Sequence, residues 1–153
     1  MRHPLLLAVA ILALAAGCGG SGATGQPLAA AVGPHGGPAH ALPDGMGYVE
    51  VVVESSTSAK AKAGELPRLV AYFLQPDLKQ ALAPLPTGVT ADLTLPDGTT
   101  KNVNLQPEGK TGDPAGPGRF AAAPAPEFGY DELRGDLKAD LAGTPFTTSF
   151  AFR

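Results

Sequence analysis

His35 and His40 bound the run His35-Gly36-Gly37-Pro38-Ala39-His40, and Asp44, Met46 and Glu50 follow closely. Imidazole together with a thioether suits copper, and imidazole alone suits zinc or nickel. Pro38 prevents a helix from setting both rings on one face, and the spacing matches no standard metal motif. Two readings stay open: a copper or zinc site built on His35 and His40, or a solvated segment before the first strand that binds nothing. Glu50 also has two. It shares with Glu54 a solvent-facing side of the first strand, or it reaches back to His35-Gly36-Gly37. Other chemistries lack their residues. No serine stands in a nucleophile-elbow setting, and the histidines lie only in the N-terminal part of the chain. Asp131 and Glu132 are adjacent, so on a strand they point to opposite faces. The glycines are scattered through turns, without the strand–GxGxxG–helix setting of a phosphate loop. The chain is therefore not expected to be an enzyme, and no cofactor is expected unless copper or zinc binds. Cys18 is the only cysteine, so no intramolecular disulfide can form.

The neighbourhood of Cys18 explains it. Arg2 and His3 form a short polar start, and residues 4–16, PLLLAVAILALAA, are wholly apolar. That run is shorter than the roughly 20 residues that span a bilayer. Small residues then lead into Leu14-Ala15-Ala16-Gly17-Cys18. The string resembles the lipobox of bacterial lipoproteins, with Ala15 where leucine is commoner. The resemblance implies diacylglycerol on the Cys18 thiol, cleavage before Cys18, and a further acyl chain on the new amine. Each buried methylene contributes about 0.8 kcal/mol, so one chain holds marginally and two or more anchor stably. Residues 1–17 are thus expected to be a signal peptide. The mature protein is expected to be extracytoplasmic and membrane-anchored. Gly19 stands where an aspartate often retains lipoproteins at the inner membrane, which favours the periplasmic face of the outer membrane.

Without residues 1–17 the chain loses Arg2, leaving 10 Lys and Arg against 14 Asp and Glu. Mild acidity excludes the basic stripe that nucleic-acid binding needs. Gly 20 and Pro 16 are high for 153 residues and point to long irregular stretches. With no Trp and 6% aromatic residues, the core must come from Val, Leu, Ala and a few Phe.

Residues 18–34 carry no charge and no periodicity, and read as the lipidated cysteine followed by a flexible tether. From Gly47 the pattern changes. Val49, Val51 and Val53 alternate with Glu50, Val52 and Glu54, predicting a strand with one buried side. Residues 68–74, RLVAYFL, are apolar on both faces, as in a central strand. Residues 89–95 alternate, and Pro96-Asp97-Gly98 predicts a turn into a strand over 99–105. A short strand is expected around Phe120, with two more over 134–141 and 145–152, the last placing Phe146, Thr148, Phe150 and Phe152 on one side. Residues 76–82 are the one candidate helical turn. These elements predict an all-β fold, a single antiparallel β-sandwich of immunoglobulin-like shape over 35–153. A small β-barrel is the alternative.

His35-Gly36-Gly37, then Gly47-Tyr48-Val49-Glu50, then Ala71-Tyr72-Phe73-Leu74 resembles an N-terminal module of the periplasmic adaptor subunits of heavy-metal efflux pumps. Small planctomycete-type lipoproteins of unknown function look similar along residues 34–152. The adaptor resemblance rests on His35, Gly36, Gly37 and Glu50, and corresponds to that module alone, without the adaptors' coiled hairpin, lipoyl and barrel domains. It implies an extracytoplasmic sandwich with a link to metal. Two functions are expected on these grounds. One is a non-enzymatic binding or envelope accessory module whose partners are the membrane and an envelope protein. The other is a transition-metal module serving heavy-metal efflux.

Overall fold

Alternating valines and leucines with few charges favour pleated strands, where branched side chains pack well. The computed structural model describes residues 31–55, 66–109 and 118–152, and its regular structure is almost entirely strand. In chain order these are β1 (Ala31–Val32), β2 (Pro38–Ala41), β3 (Tyr48–Glu54), β4 (Arg68–Leu74) and β5 (Thr87–Thr94). Then come β6 (Thr100–Asn104), β7 (Gln106–Pro107), β8 (Arg119–Ala121), β9 (Arg134–Leu141) and β10 (Thr144–Ala151). Six form one antiparallel sheet in the order β1-β2-β3-β4-β8-β7, and four form a second in the order β10-β9-β5-β6. The fold is the all-β sandwich expected from the alternations.

One core fills the space between the sheets. Val49 and Val51 of β3, Leu69, Ala71 and Phe73 of β4, and Phe120 of β8 face Ala91, Leu93, Leu137, Phe146 and Phe150 of the other sheet. Phe73 and Phe120 meet edge to face, with centroids 5.5 Å apart, the arrangement ring quadrupoles favour. The β9–β10 turn is two residues, Ala142 and Gly143, with φ of 54° and 89°. Such turns match the natural twist of a hairpin.

Three expectations need correction. Residues 76–82 are not helical: Asp77 Oδ1 accepts the Lys79 and Gln80 N–H groups, and Leu78 has φ of 59°. That local bonding competes with a helix, and it lets Leu78 pack on the outward side of the six-stranded sheet. Ala31–Val32, placed in the tether by composition, pair with β2, so the folded part takes in residues 31–34. Finally, β3 is not one-sided, because Glu50 and Val52 are buried on one face and Val49 and Val51 on the other.

Candidate functional site

Antiparallel register lines up Ala39, Glu50, Tyr72 and Arg119 across β2, β3, β4 and β8. Directly paired residues share a face. This face is opposite to the one carrying Val49 and Val51, so it is the outward side of the six-stranded sheet. Val52, Val70, Tyr72, Leu74 and Ala121 make a second apolar cluster there, with polar groups threaded through it.

The turn between β1 and β2 closes over this face. Gly33 N–H donates to the Gly37 carbonyl at 2.9 Å, and Gly36 N–H to the Gly33 carbonyl at 3.1 Å. Gly36 has φ of 87°, a conformation side-chained residues avoid. A Cβ on Gly33 would overlap the Glu50 carboxyl, and one on Gly37 the Val51 carbonyl. Gly33 and Gly37 are there because the turn backbone at those positions lies directly on β3.

Glu50 ties the turn down. Its Oε1 accepts the N–H of His35 at 2.9 Å and of Gly37 at 2.8 Å. Its Oε2 lies 2.8 Å from His35 Nδ1, so the ring carries its proton on that nitrogen when Glu50 is a carboxylate. The Glu50 side chain is 0% exposed. A carboxylate survives such burial only with its lone pairs engaged. The His35 ring stacks on Tyr72, centroids 3.6 Å apart and planes within 4°.

Tyr72 links this half of the network to a second. Its hydroxyl donates to Glu54 Oε1 at 3.0 Å and accepts from Arg119 Nε at 3.3 Å. Arg119, fully buried, donates from Nη2 to Glu54 Oε2 at 2.7 Å and pairs through Nη1 with Glu108. Glu108 also takes Arg68 at 3.0 Å. Burial, with Arg119 opposing and Glu54 reinforcing, pushes the Tyr72 hydroxyl up to about 12. Burial works against the Arg119 charge, but Glu54 and Tyr72 outweigh it and hold its pKa above the ordinary arginine value.

The second histidine is elsewhere. His40 pairs with Val49, so it lies on the core side of the sheet, opposite to the face where His35 meets Glu50. The structure does not bring His35 and His40 together. His40 Nε2 is buried without a hydrogen-bond partner among the described residues, and burial lowers its pKa. Met46 packs against the main core, and Asp44 is exposed in the turn before β3. Among the described residues no three His, Cys, Asp or Glu side chains gather as a metal site requires. Asp131 and Glu132 are both exposed. Cys18 lies outside the described residues.

Of the two readings of Glu50, the geometry selects the one in which it reaches back to His35 and Gly37. Arg119 and Glu108 escaped the sequence reading, because they flank a Gly- and Pro-rich run of sequence and their partners lie on other strands. One signal was present: Arg119 sits inside a short apolar run, where a cation needs a partner. Beside the His35 turn lies a groove of about 370 Å³, lined by His35, Val52, Phe128, Tyr130, Leu133 and Phe152 among others. Comparison with known proteins finds no matching family model, no matching curated protein and no matching solved structure.

Proposed function

We propose that the protein is a lipid-anchored, extracytoplasmic β-sandwich that serves the cell envelope as a non-enzymatic binding or accessory module. The observation that carries this reading is Cys18, the sole cysteine, placed directly after an apolar run and small residues. The polar network adds support. Glu50 directs its hydrogen bonds to the turn, and Tyr72 and Arg119 direct theirs to each other and to Glu54, an arrangement that holds a loop rather than one that acts on a substrate. The His-Gly-Gly and Glu residues that carry the adaptor resemblance then serve, in this reading, as a turn clamp. No helix among the described residues is long and apolar enough to cross a membrane, and in this reading the acyl chains on Cys18 hold the protein there.

Cells fed labelled palmitate test this. The wild-type protein is expected to take up label, to sediment with membranes, and to begin at an acylated Cys18 by mass analysis. Cys18→Ala is expected to lose the label and to keep residues 1–17 or leave the membrane. A wild-type protein that is unlabelled and freely soluble overturns the proposal.

A further inference from the structure

Among the described residues the two sheets have four edge strands, β1, β7, β6 and β10. An open edge is a row of unpaired N–H and C=O groups, and proteins blunt it with short strands, proline or charge. β1 and β7 have two residues each, and β7 contains Pro107. β6, TKNVN, carries Lys101 at its centre-left and two asparagines. β10 is different. It has eight residues, TPFTTSFA, with no charge, and pairs with β9 over its whole length without a bulge.

Its outward groups can be named. Phe152 N–H, just past the strand, donates to the Leu133 carbonyl at 2.8 Å. Backbone groups alternate along an antiparallel strand, so even-numbered residues turn theirs toward β9. Pro145, Thr147, Ser149 and Ala151 turn theirs to the open side. All four side chains are exposed, and no other strand among the described residues covers this edge. Pro145 has no N–H to offer, so the competent stretch is Thr147 to Ala151, symmetric about Ser149.

We propose that this edge is a self-association surface: β10 of one copy pairs antiparallel with β10 of a second copy, across a two-fold axis at Ser149. Thr147 then faces the partner's Ala151, Ser149 faces the partner's Ser149, and each pair exchanges both N–H···O bonds. The occupant follows from three features. The donors and acceptors are palindromic, so a second copy satisfies every one of them in a closed, isologous interface. Pro145 would interrupt a longer foreign strand, but in this register it lies outside the paired stretch of Thr147 to Ala151. The strand is uncharged, so self-pairing sets no like charges side by side. The acidic group nearest the axis is Asp136, which holds the Ser149 hydroxyl at 2.6 Å. It would stand three strand spacings, about 14 Å, from its copy, beyond the Debye length of about 8 Å at physiological salt. The two four-stranded sheets would become one continuous sheet.

Sedimentation of the full chain in detergent, with disulfide trapping, tests this. Wild type is expected to reach a dimer as concentration rises. Ser149→Lys sets two cations at the axis and is expected to halve the sedimenting mass while keeping the wild-type circular dichroism. Ser149→Cys is expected to trap a dimer under mild oxidation, because Cα atoms of a hydrogen-bonded pair lie about 5.5 Å apart, within disulfide reach. Thr147→Cys, displaced from its copy by about 13 Å along the strand, is expected to stay at the wild-type background. A wild type monomeric up to its solubility limit overturns the proposal. Trapping no better through Ser149→Cys than through Thr147→Cys overturns it too, as does a Ser149→Cys adduct with a different protein in place of the dimer.

Discussion

On the outward face of the four-stranded sheet, Asp92 accepts from Asn102 and from Lys138, each at 2.6 Å, and Ser149 donates to Asp136 at 2.6 Å. All of these side chains touch solvent. On the outward face of the six-stranded sheet, Glu50 and Arg119 are wholly buried, and comparable bonds run between Glu50, His35, Tyr72, Arg119 and Glu54. The chemistry is alike and the setting is opposite. Water replaces a broken bond on the first face at little cost. On the second a broken bond leaves a desolvated group with nothing to pair. The difference arises because the β1–β2 turn and Leu78 roof the six-stranded sheet, while nothing among the described residues roofs the other.

The comparison is broken most directly at Glu50. Glu50→Ala orphans the N–H groups of His35 and Gly37. At about 1–3 kcal/mol for each unsatisfied buried donor, it is expected to cost about 2–6 kcal/mol in a denaturant melt. Glu50→Gln, which keeps the shape and one acceptor oxygen, is expected to cost less. A loss from Glu50→Ala no larger than from a surface substitution would show that the turn does not depend on this carboxyl.

A smaller effect lies at high pH. Folding raises the Tyr72 hydroxyl from its ordinary value of 10.0 to about 12. The folded state therefore keeps a proton that the unfolded chain releases. This contribution is fully present below pH 10 and is lost as pH rises toward 12. Tyr72→Phe is expected to be less stable at neutral pH, through loss of the bonds to Glu54 and Arg119, and to show a shallower decline over that range. Parallel pH profiles for the two proteins would contradict the assignment.

The smallest effects belong to the solvated face. Lys138→Ala and Thr147→Ala are each expected to leave the melt almost unchanged, and added salt should narrow the Lys138 effect further. A large loss at Thr147 would mean that the register of β10 is wrong, since Phe146 and Phe150 would then point outward.

Much of the fold was legible from local pattern. Val49, Val51 and Val53 alternate as a buried face should, and Phe146 and Phe150 do the same in β10, because strand side chains alternate with a period of two. Pro96-Asp97-Gly98 marked its turn for reasons that lie within those residues. The candidate site was only half legible. His35, Gly36, Gly37 and Glu50 stood out by type and spacing, and one reading joined them. Nothing local could say that His40 would fall on the other side of the sheet, since that depends on where β2 begins and on its pairing with β3. The short strand at Ala31–Val32 was hidden for a related reason: two small residues carry no period, and only β2 beside them makes them a strand.

Alternation, turn residues and composition determined by themselves that β3, β4, β5, β6, β8, β9 and β10 are strands, that the core is aliphatic and phenylalanine-rich, and that Cys18 stands alone after an apolar run. The tertiary structure alone decided that Glu50 is a buried clamp, that Arg119 meets Glu54 and Glu108 from distant parts of the chain, and that β10 ends its sheet with an open edge. The physical reason is range. Period and propensity act over a few residues, whereas burial, pairing partner and edge position are set by which strands lie side by side.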